Sequence, residues 1–149
     1  MVTTSVVNWV FLDVWVPGKA QPQGSKVRNR FQGVRESNVE LGPWRERVAL
    51  AASERMRLFG WAPMSPKEPV RVELEFVLPR LASAPKTRPH PPATAKPDVD
   101  KLVRAVFDAL TGPVLHDDSQ VVQVLASKRR ADVGEEPGVS IGVERLAVS

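Results

Sequence analysis

Residues Val70 to Leu78 set Val70, Val72, Leu74, Phe76 and Leu78 in alternation with Arg71, Glu73, Glu75 and Val77. Side chains in an extended chain point to opposite faces with period two, so this stretch is predicted as a half-buried strand. The elements around it follow from similar arguments. Val6 to Val16 is rich in β-branched and aromatic residues and stops at Pro17-Gly18, the signature of a strand ended by a turn. Trp44, Val48, Ala51, Ala52, Arg55, Met56 and Phe59 recur at spacings of three and four from Pro43 to Gly60. That spacing predicts an amphipathic helix that Pro43 can open and Gly60 can close.

A second helix is predicted from the region of Asp98 to Lys101 up to Gly112-Pro113, with Leu102, Val103, Val106, Ala109 and Leu110 on its apolar face. Val121, Val122, Val124 and Leu125 read as a strand that runs into Lys128-Arg129-Arg130. Val139, Ile141 and Val143 read as a last strand, expected to pair with it as a hairpin across Gly134 to Gly138. The order β-α-β-α-β-β defines an α+β fold with a small mixed β-sheet and two main helices. Two segments stand outside it. Residues 17–36 carry Gly, Pro and five cations without helical or strand period, a basic loop. Residues 82–97 carry five prolines and are expected to form an extended, mobile loop.

At 149 residues and 42% hydrophobic content, the chain is expected to form a single domain, 1–149, with an ordinary core. The absence of cysteine removes disulfides, thiolate metal sites and a cysteine nucleophile. No apolar run is long enough to cross a bilayer, and the first residues lack a signal-peptide pattern, so no membrane partner and an intracellular location are expected. The net charge of +4 and pI near 9.9 favour polyanionic ligands.

Against that basic background, Asp98, Asp100, Asp108, Asp117 and Asp118 fall within 21 positions. Asp98 and Asp100 would point the same way if their segment were extended. If the helix between them folds the two loops together, Asp98, Asp100 and one of Asp117-Asp118 can hold a hard cation such as Mg²⁺, which takes oxygen ligands and shares substrate phosphates. Such an ion lowers the pKa of an attacking water and polarises a phosphodiester. An Asp before a helix is also an ordinary N-cap, and Asp-Asp before a strand an ordinary turn, so spacing leaves both readings open. Neither His90 nor His116 is read as a ligand. Trp9, Trp15, Trp44 and Trp61 are read as core or interface before base-stacking groups.

Three blocks, Lys96-Pro97-Asp98-Val99-Asp100-Lys101-Leu102, Phe107-Asp108-Ala109-Leu110-Thr111-Gly112 and Asp117-Asp118-Ser119-Gln120-Val121-Val122, resemble in order and spacing the signature of the RusA family of Holliday junction resolvases. Pro22-Gln23-Gly24-Ser25-Lys26, Glu36-Ser37-Asn38 and Pro43-Trp44-Arg45 are similar to its phage-type branch.

The resemblance implies a homodimeric, magnesium-dependent endodeoxyribonuclease, with Mn²⁺ as a possible substitute, that cuts four-way DNA junctions in recombination, repair or phage DNA processing. It implies a cytoplasmic location, that of the bacterial host if the protein is phage-encoded. Asp98, Asp100 and Asp118 are the implied metal ligands, with Asp117, Lys101 and Asp108 in supporting positions. Arg104 stands where the family commonly has Lys. It is expected to stabilise phosphate charge without transferring a proton, because a guanidinium stays protonated. Lys26, Arg28, Arg30, Lys86, Arg88, Lys96, Lys128, Arg129 and Arg130 are the candidate DNA contacts. The alternatives are a catalytically weakened branched-DNA-binding module and a nuclease preferring flaps or forks.

Overall fold

The computed structural model describes residues 7–24, 26–29, 33–36 and 38–147, with side chains described for 11–24 and 38–146. Its elements are β1 (Val7–Pro17), β2 (Lys26–Asn29), β3 (Gly33–Glu36), α1 (Leu41–Leu58), β4 (Val70–Leu78), α2 (Val99–Leu110), a 3₁₀ turn at Asp118–Gln120, β5 (Val121–Arg130) and β6 (Gly138–Ala147). The α+β class with a small mixed sheet and two main helices is as the sequence predicts.

The sheet order is β1-β6-β4-β5. β4 runs parallel to β5 and antiparallel to β6, and β6 runs antiparallel to β1. The predicted hairpin between the last two strands is therefore wrong, because β4 lies between them. Parallel neighbours need a crossover, and α2 supplies it between β4 and β5. β4 takes the central place because it can be buried along its length: Val70, Val72, Leu74, Phe76, Val77 and Leu78 are all buried. Its polar alternates lie on the opposite face, where Arg71 pairs with Glu73 at 3.0 Å and with Glu144 at 3.5 Å.

The helices cover the other face. Leu41, Trp44, Val48, Ala52 and Met56 of α1 and Leu102, Ala105, Val106, Ala109 and Leu110 of α2 join one apolar cluster with β1, β4 and β6. α1 begins two residues before Pro43, which falls in its first turn. It ends on the predicted glycine: Gly60 has φ +65 and donates to Arg57 O, and Trp61 N reaches Met56 O at 2.9 Å. These are the two bonds of a Schellman motif. Trp44 is core, and Trp61 stacks between Phe11 and Phe59 at 5.1 Å on each side. The Trp9 side chain lies outside the described residues.

Two loop expectations change. The basic segment is not structureless throughout, since β2 and β3 pair antiparallel within it. The proline-rich segment is anchored in places: Pro91 and Ala93 are buried, Pro92 bridges Arg129, and the Arg80 guanidinium donates to the carbonyls of Pro85, Arg88 and Ala131. Among the described residues no helix is long and apolar enough to cross a membrane.

The turn after β5 is closed by a two-pronged ion pair, with Arg129 Nη1 at 2.6 Å and Nη2 at 2.8 Å from the Glu135 carboxylate, which also accepts from Asp132 N. The Arg129 hydrogen bonds, followed by the Asp132 amide, pull the Glu135 pKa from 4.5 down to about 2. A depressed carboxylate contributes stability above its unfolded pKa and loses it as pH falls through the folded value. Acid titration of stability is therefore expected to show a loss between about 4.5 and 2 that is smaller in Glu135→Gln, measured by chemical denaturation at each pH. Identical pH profiles would overturn this.

Candidate active site

The first acidic block opens α2. Asp98 is the N-cap, with extended backbone angles (φ -72, ψ 140), and Asp100 lies in the first helical turn. An extended Asp98-Val99-Asp100 segment with both carboxylates on one side is therefore not what forms, since the helix begins at Val99. The Asp98 side chain makes no capping hydrogen bond. Among the described residues Asp98, Asp100, Lys101 and Arg104 make no side-chain ion pair or hydrogen bond, and all four are exposed. Arg104 follows Asp100 by four residues, one turn along the same helix face.

The backbone leading into Asp98 is braced from β5. Lys128 Nζ donates to Ala95 O at 2.9 Å and to Pro97 O at 2.7 Å, across the cis Lys96–Pro97 peptide. Arg130, only 8% exposed, donates to Pro79 O and to Lys96 O. Beside them lies a cavity of about 360 Å³ whose lining includes Lys19, Gln21, Asn38, Lys96, Asp98, Lys101 and Arg130. Asn38 Nδ2 donates to Pro22 O at 3.0 Å, and Gln23 N donates to Lys101 O at 3.0 Å, so the 19–24 segment is tied to the start of α2.

The second acidic block is built differently. Asp117 caps the 3₁₀ turn: its carboxylate accepts from Ser119 N at 2.8 Å, and that bond holds its pKa below the usual carboxylate value. Gln120 closes the capping box and does more. Its Oε1 accepts from His116 N at 2.8 Å and Asp117 N at 3.2 Å, and its Nε2 donates to Ser65 O and Glu68 O, each at 2.9 Å. Two amide donors on one side and two carbonyls on the other use the full capacity of a carboxamide and settle which atom is oxygen. Asp118, half-exposed, is carried on this clamp. Gln120 is not among the sequence-predicted site residues. The Asp117-x-x-Gln120 spacing of a capping box was the signal available for it.

α2 keeps the two blocks apart. Asp98 lies by Leu78 and Arg130, the far ends of β4 and β5, whereas Asp118 precedes Val121, which pairs with Val70 at their near ends. Twelve helical residues separate them along α2, about 18 Å at 1.5 Å per residue. Among the described residues no group of three or more acidic or histidine side chains is arranged to hold a metal ion. The donors fit a hard cation in kind, being exposed carboxylates. In one chain they do not fit it as a three-ligand set.

The remaining candidates are distributed as follows. Asp108 faces α1 and pairs with Arg45 at 3.6 Å. Lys86, Arg88 and Lys96 are exposed on the proline-rich segment. Arg129 is held by Glu135 and lies 3.4 Å from Glu75. Lys128 and Arg130 brace carbonyls. The side chains of Lys26 and Arg28, on β2, and the whole of Arg30 lie outside the described residues. His90 Nδ1 sits 3.0 Å from Asp132.

Exposed carboxylates and cations thus stand together at the opening of a crossover helix, beside a cavity lined by Lys19, Lys96, Lys101 and Arg130. The sequence profile of the family described as Endodeoxyribonuclease RusA matches residues 15–144, and the chain belongs to that family. Over 54 residues it is also 43% identical to "Uncharacterized protein YqaN" of Bacillus subtilis (strain 168). That match covers 36% of this chain and 36% of the relative.

Proposed function

We propose that this protein is a homodimeric, Mg²⁺-dependent endonuclease that resolves four-way DNA junctions by paired phosphodiester hydrolysis. The observation that carries the reading is the group Asp98, Asp100, Lys101 and Arg104: charged, exposed and without side-chain partners among the described residues, on a backbone braced by Lys128 and Arg130. Unpartnered charges of both signs on a rigid support suit a metal and a phosphate better than a structural role.

Because Asp118 stands apart from this group in one chain, the reading takes two copies to complete a site. Asp98 and Asp100 of one copy and Asp118 of the other are the proposed ligands, with water and phosphate oxygens completing the shell. The ion, when bound, supplies polarisation of the phosphate and a water of lowered pKa. Arg104 and Lys101 hold the phosphate and offset its growing charge. Asp117 fixes the turn that presents Asp118, and Asp108 ties α2 to α1. Two equivalent sites related by a two-fold axis suit a junction whose resolution needs two matched cuts.

Basic residues outside the acidic group, Lys86, Arg88 and Lys96 among them, are proposed to touch the duplex arms, so binding is expected to weaken steeply with salt. The test is cleavage of synthetic four-way junctions, flaps, forks and linear duplex with Mg²⁺ and with chelator, strand ends being mapped. Symmetric paired nicks in the junction, dependent on Mg²⁺, are expected, and Asp100→Asn is expected to bind without cutting. Equal cutting of linear duplex, or cutting unaffected by chelator, would sink the reading.

A further inference from the structure

Two neighbouring cations at the end of β5 are treated very differently by the fold. Arg129 is matched by carboxylates, lying 2.6 Å from Glu135 and 3.4 Å from Glu75. Arg130 is 8% exposed, and among the described residues it has no ion pair. Its guanidinium donates to the carbonyls of Pro79 and Lys96 at 3.3 Å and 3.4 Å, and its Nε is buried without a hydrogen-bond partner. A buried cation costs free energy unless an anion or a full set of acceptors replaces its water. Arg130 lines the cavity of about 360 Å³ at the start of α2 together with Lys19, Lys96 and Lys101, against the single carboxylate of Asp98. The acceptor that Arg130 lacks is therefore expected from an occupant of that cavity.

The other walls indicate what else the occupant carries. Pro22, Leu78, Pro79 and Pro97 give apolar surface, which a bare phosphate has no use for and the flat face of a nucleobase does. The volume is that of a small-ligand site. Hydrogen bonds within the chain hold these walls in place: Gln23 N donates to Lys101 O and Asn38 Nδ2 to Pro22 O, each at 3.0 Å, and Lys128 Nζ fixes Pro97 O at 2.7 Å.

We propose that this cavity takes one unstacked nucleotide of the strand being cut, its phosphate on Arg130 and Lys19 and its base against the proline walls. Asp98 lines the same cavity, so this nucleotide is a neighbour of the phosphodiester held at Asp98 and Asp100. The proposal deepens the endonuclease reading and rests on it for which strand is bound. It also supplies a reason to prefer branched DNA, because a base that is already poorly stacked costs less to extrude than one within a duplex.

The test needs no DNA. Thymidine monophosphate, thymidine and inorganic phosphate are each titrated into the isotope-labelled protein while its amide resonances are followed by NMR. The nucleotide is expected to shift residues 19–24, 78 and 96–101, and to bind at least about tenfold more tightly than either thymidine or phosphate. Arg130→Met is expected to weaken nucleotide binding by about tenfold or more. Lys19 is exposed, and among the described residues its side chain makes no hydrogen bond or ion pair, so Lys19→Met keeps the fold and is expected to weaken binding about threefold. Lys67→Met removes the same charge just before β4, at the other end of the sheet, and is expected to bind as wild type does. The site is overturned by an absence of shifts at about 10 mM nucleotide, by phosphate binding as tightly as the nucleotide, by shifts centred outside the cavity, or by equal effects of Lys19→Met and Lys67→Met. Nucleotide binding in a protein that cuts no junction upholds the cavity and sinks the resolvase reading. Junction cutting by a protein that binds no nucleotide does the reverse, so the two fail separately.

Discussion

Asp100→Asn and Asp118→Asn chains are each expected to be inactive on a four-way junction in Mg²⁺, and a mixture of the two is expected to cut. α2, about 18 Å long, holds Asp100 and Asp118 toward opposite ends of the sheet in each copy. If each site draws Asp98 and Asp100 from one copy and Asp118 from the other, a dimer of the two variants has one site missing both carboxylates and one site intact. Random exchange makes half of the dimers mixed, so about a quarter of wild-type sites return, as single nicks where paired cuts stood before. Each variant alone should lose more than the about 10–100-fold that removing an outer partner of a metal ligand costs. A mixture of Asp98→Asn with Asp100→Asn provides the control. Those residues belong to the same end of one chain, every site in that mixture lacks a carboxylate, and no activity should return. A mixture of Asp100→Asn with Asp118→Asn that stays as inactive as its parents would place a complete site within one chain and overturn the shared arrangement.

Gln120→Ala is expected to be the most destabilising single change near the site. Gln120 is buried, at 7% exposed, and its carboxamide joins the His116–Asp118 turn to the segment between α1 and β4 through four hydrogen bonds. Alanine leaves two carbonyls and two amides without their partner, and a buried group left unsatisfied costs about 1–3 kcal/mol. Water reaches part of this turn, so a total of about 2–4 kcal/mol is expected, equivalent to a Tm lower by about 5–12 °C in a chain of this size. Gln120→Glu separates the two halves of the clamp. It keeps an acceptor for His116 and Asp117 but turns an oxygen toward the carbonyls of Ser65 and Glu68, so it should be no more stable than the alanine variant. Cleavage at a temperature where the variants remain folded should also fall, because Asp118 rides on the turn. A melting temperature within about 1 °C of wild type for Gln120→Ala would show that the clamp contributes little.

These two expectations differ in how far the chain alone reveals them. The alternation of Val70 to Leu78 identified β4 because burial on one face of a strand leaves a period that sequence records directly. α1 and its end at Gly60 were legible for a similar reason: side-chain spacing and a residue that accepts positive φ are local properties. The acidic blocks were equally visible, as was their likeness to a known family, which the match over 130 residues bears out. Pairing of β5 with β6 was misjudged because adjacency in sequence favours a hairpin, whereas the strand most buried along its length, β4, took the position between them. The bracing by Lys128 and Arg130 was equally invisible. A cation near an acidic motif reads as a phosphate ligand until the structure shows carbonyls within its reach.

By itself, then, the sequence determined which segments are strands and helices, which residues form the core, and which carboxylates and cations the chemistry has to work with, since each of these is written in local spacing and composition. Only the tertiary structure decided where those groups stand relative to one another. α2 returns the chain from one end of the sheet to the other before β5 begins, and a rigid crossover of that length puts Asp98 and Asp100 beyond the reach of Asp118 in the same chain. It also leaves β5 on an open edge with its acidic and basic ends opposed, a global consequence of strand order that no window of sequence contains.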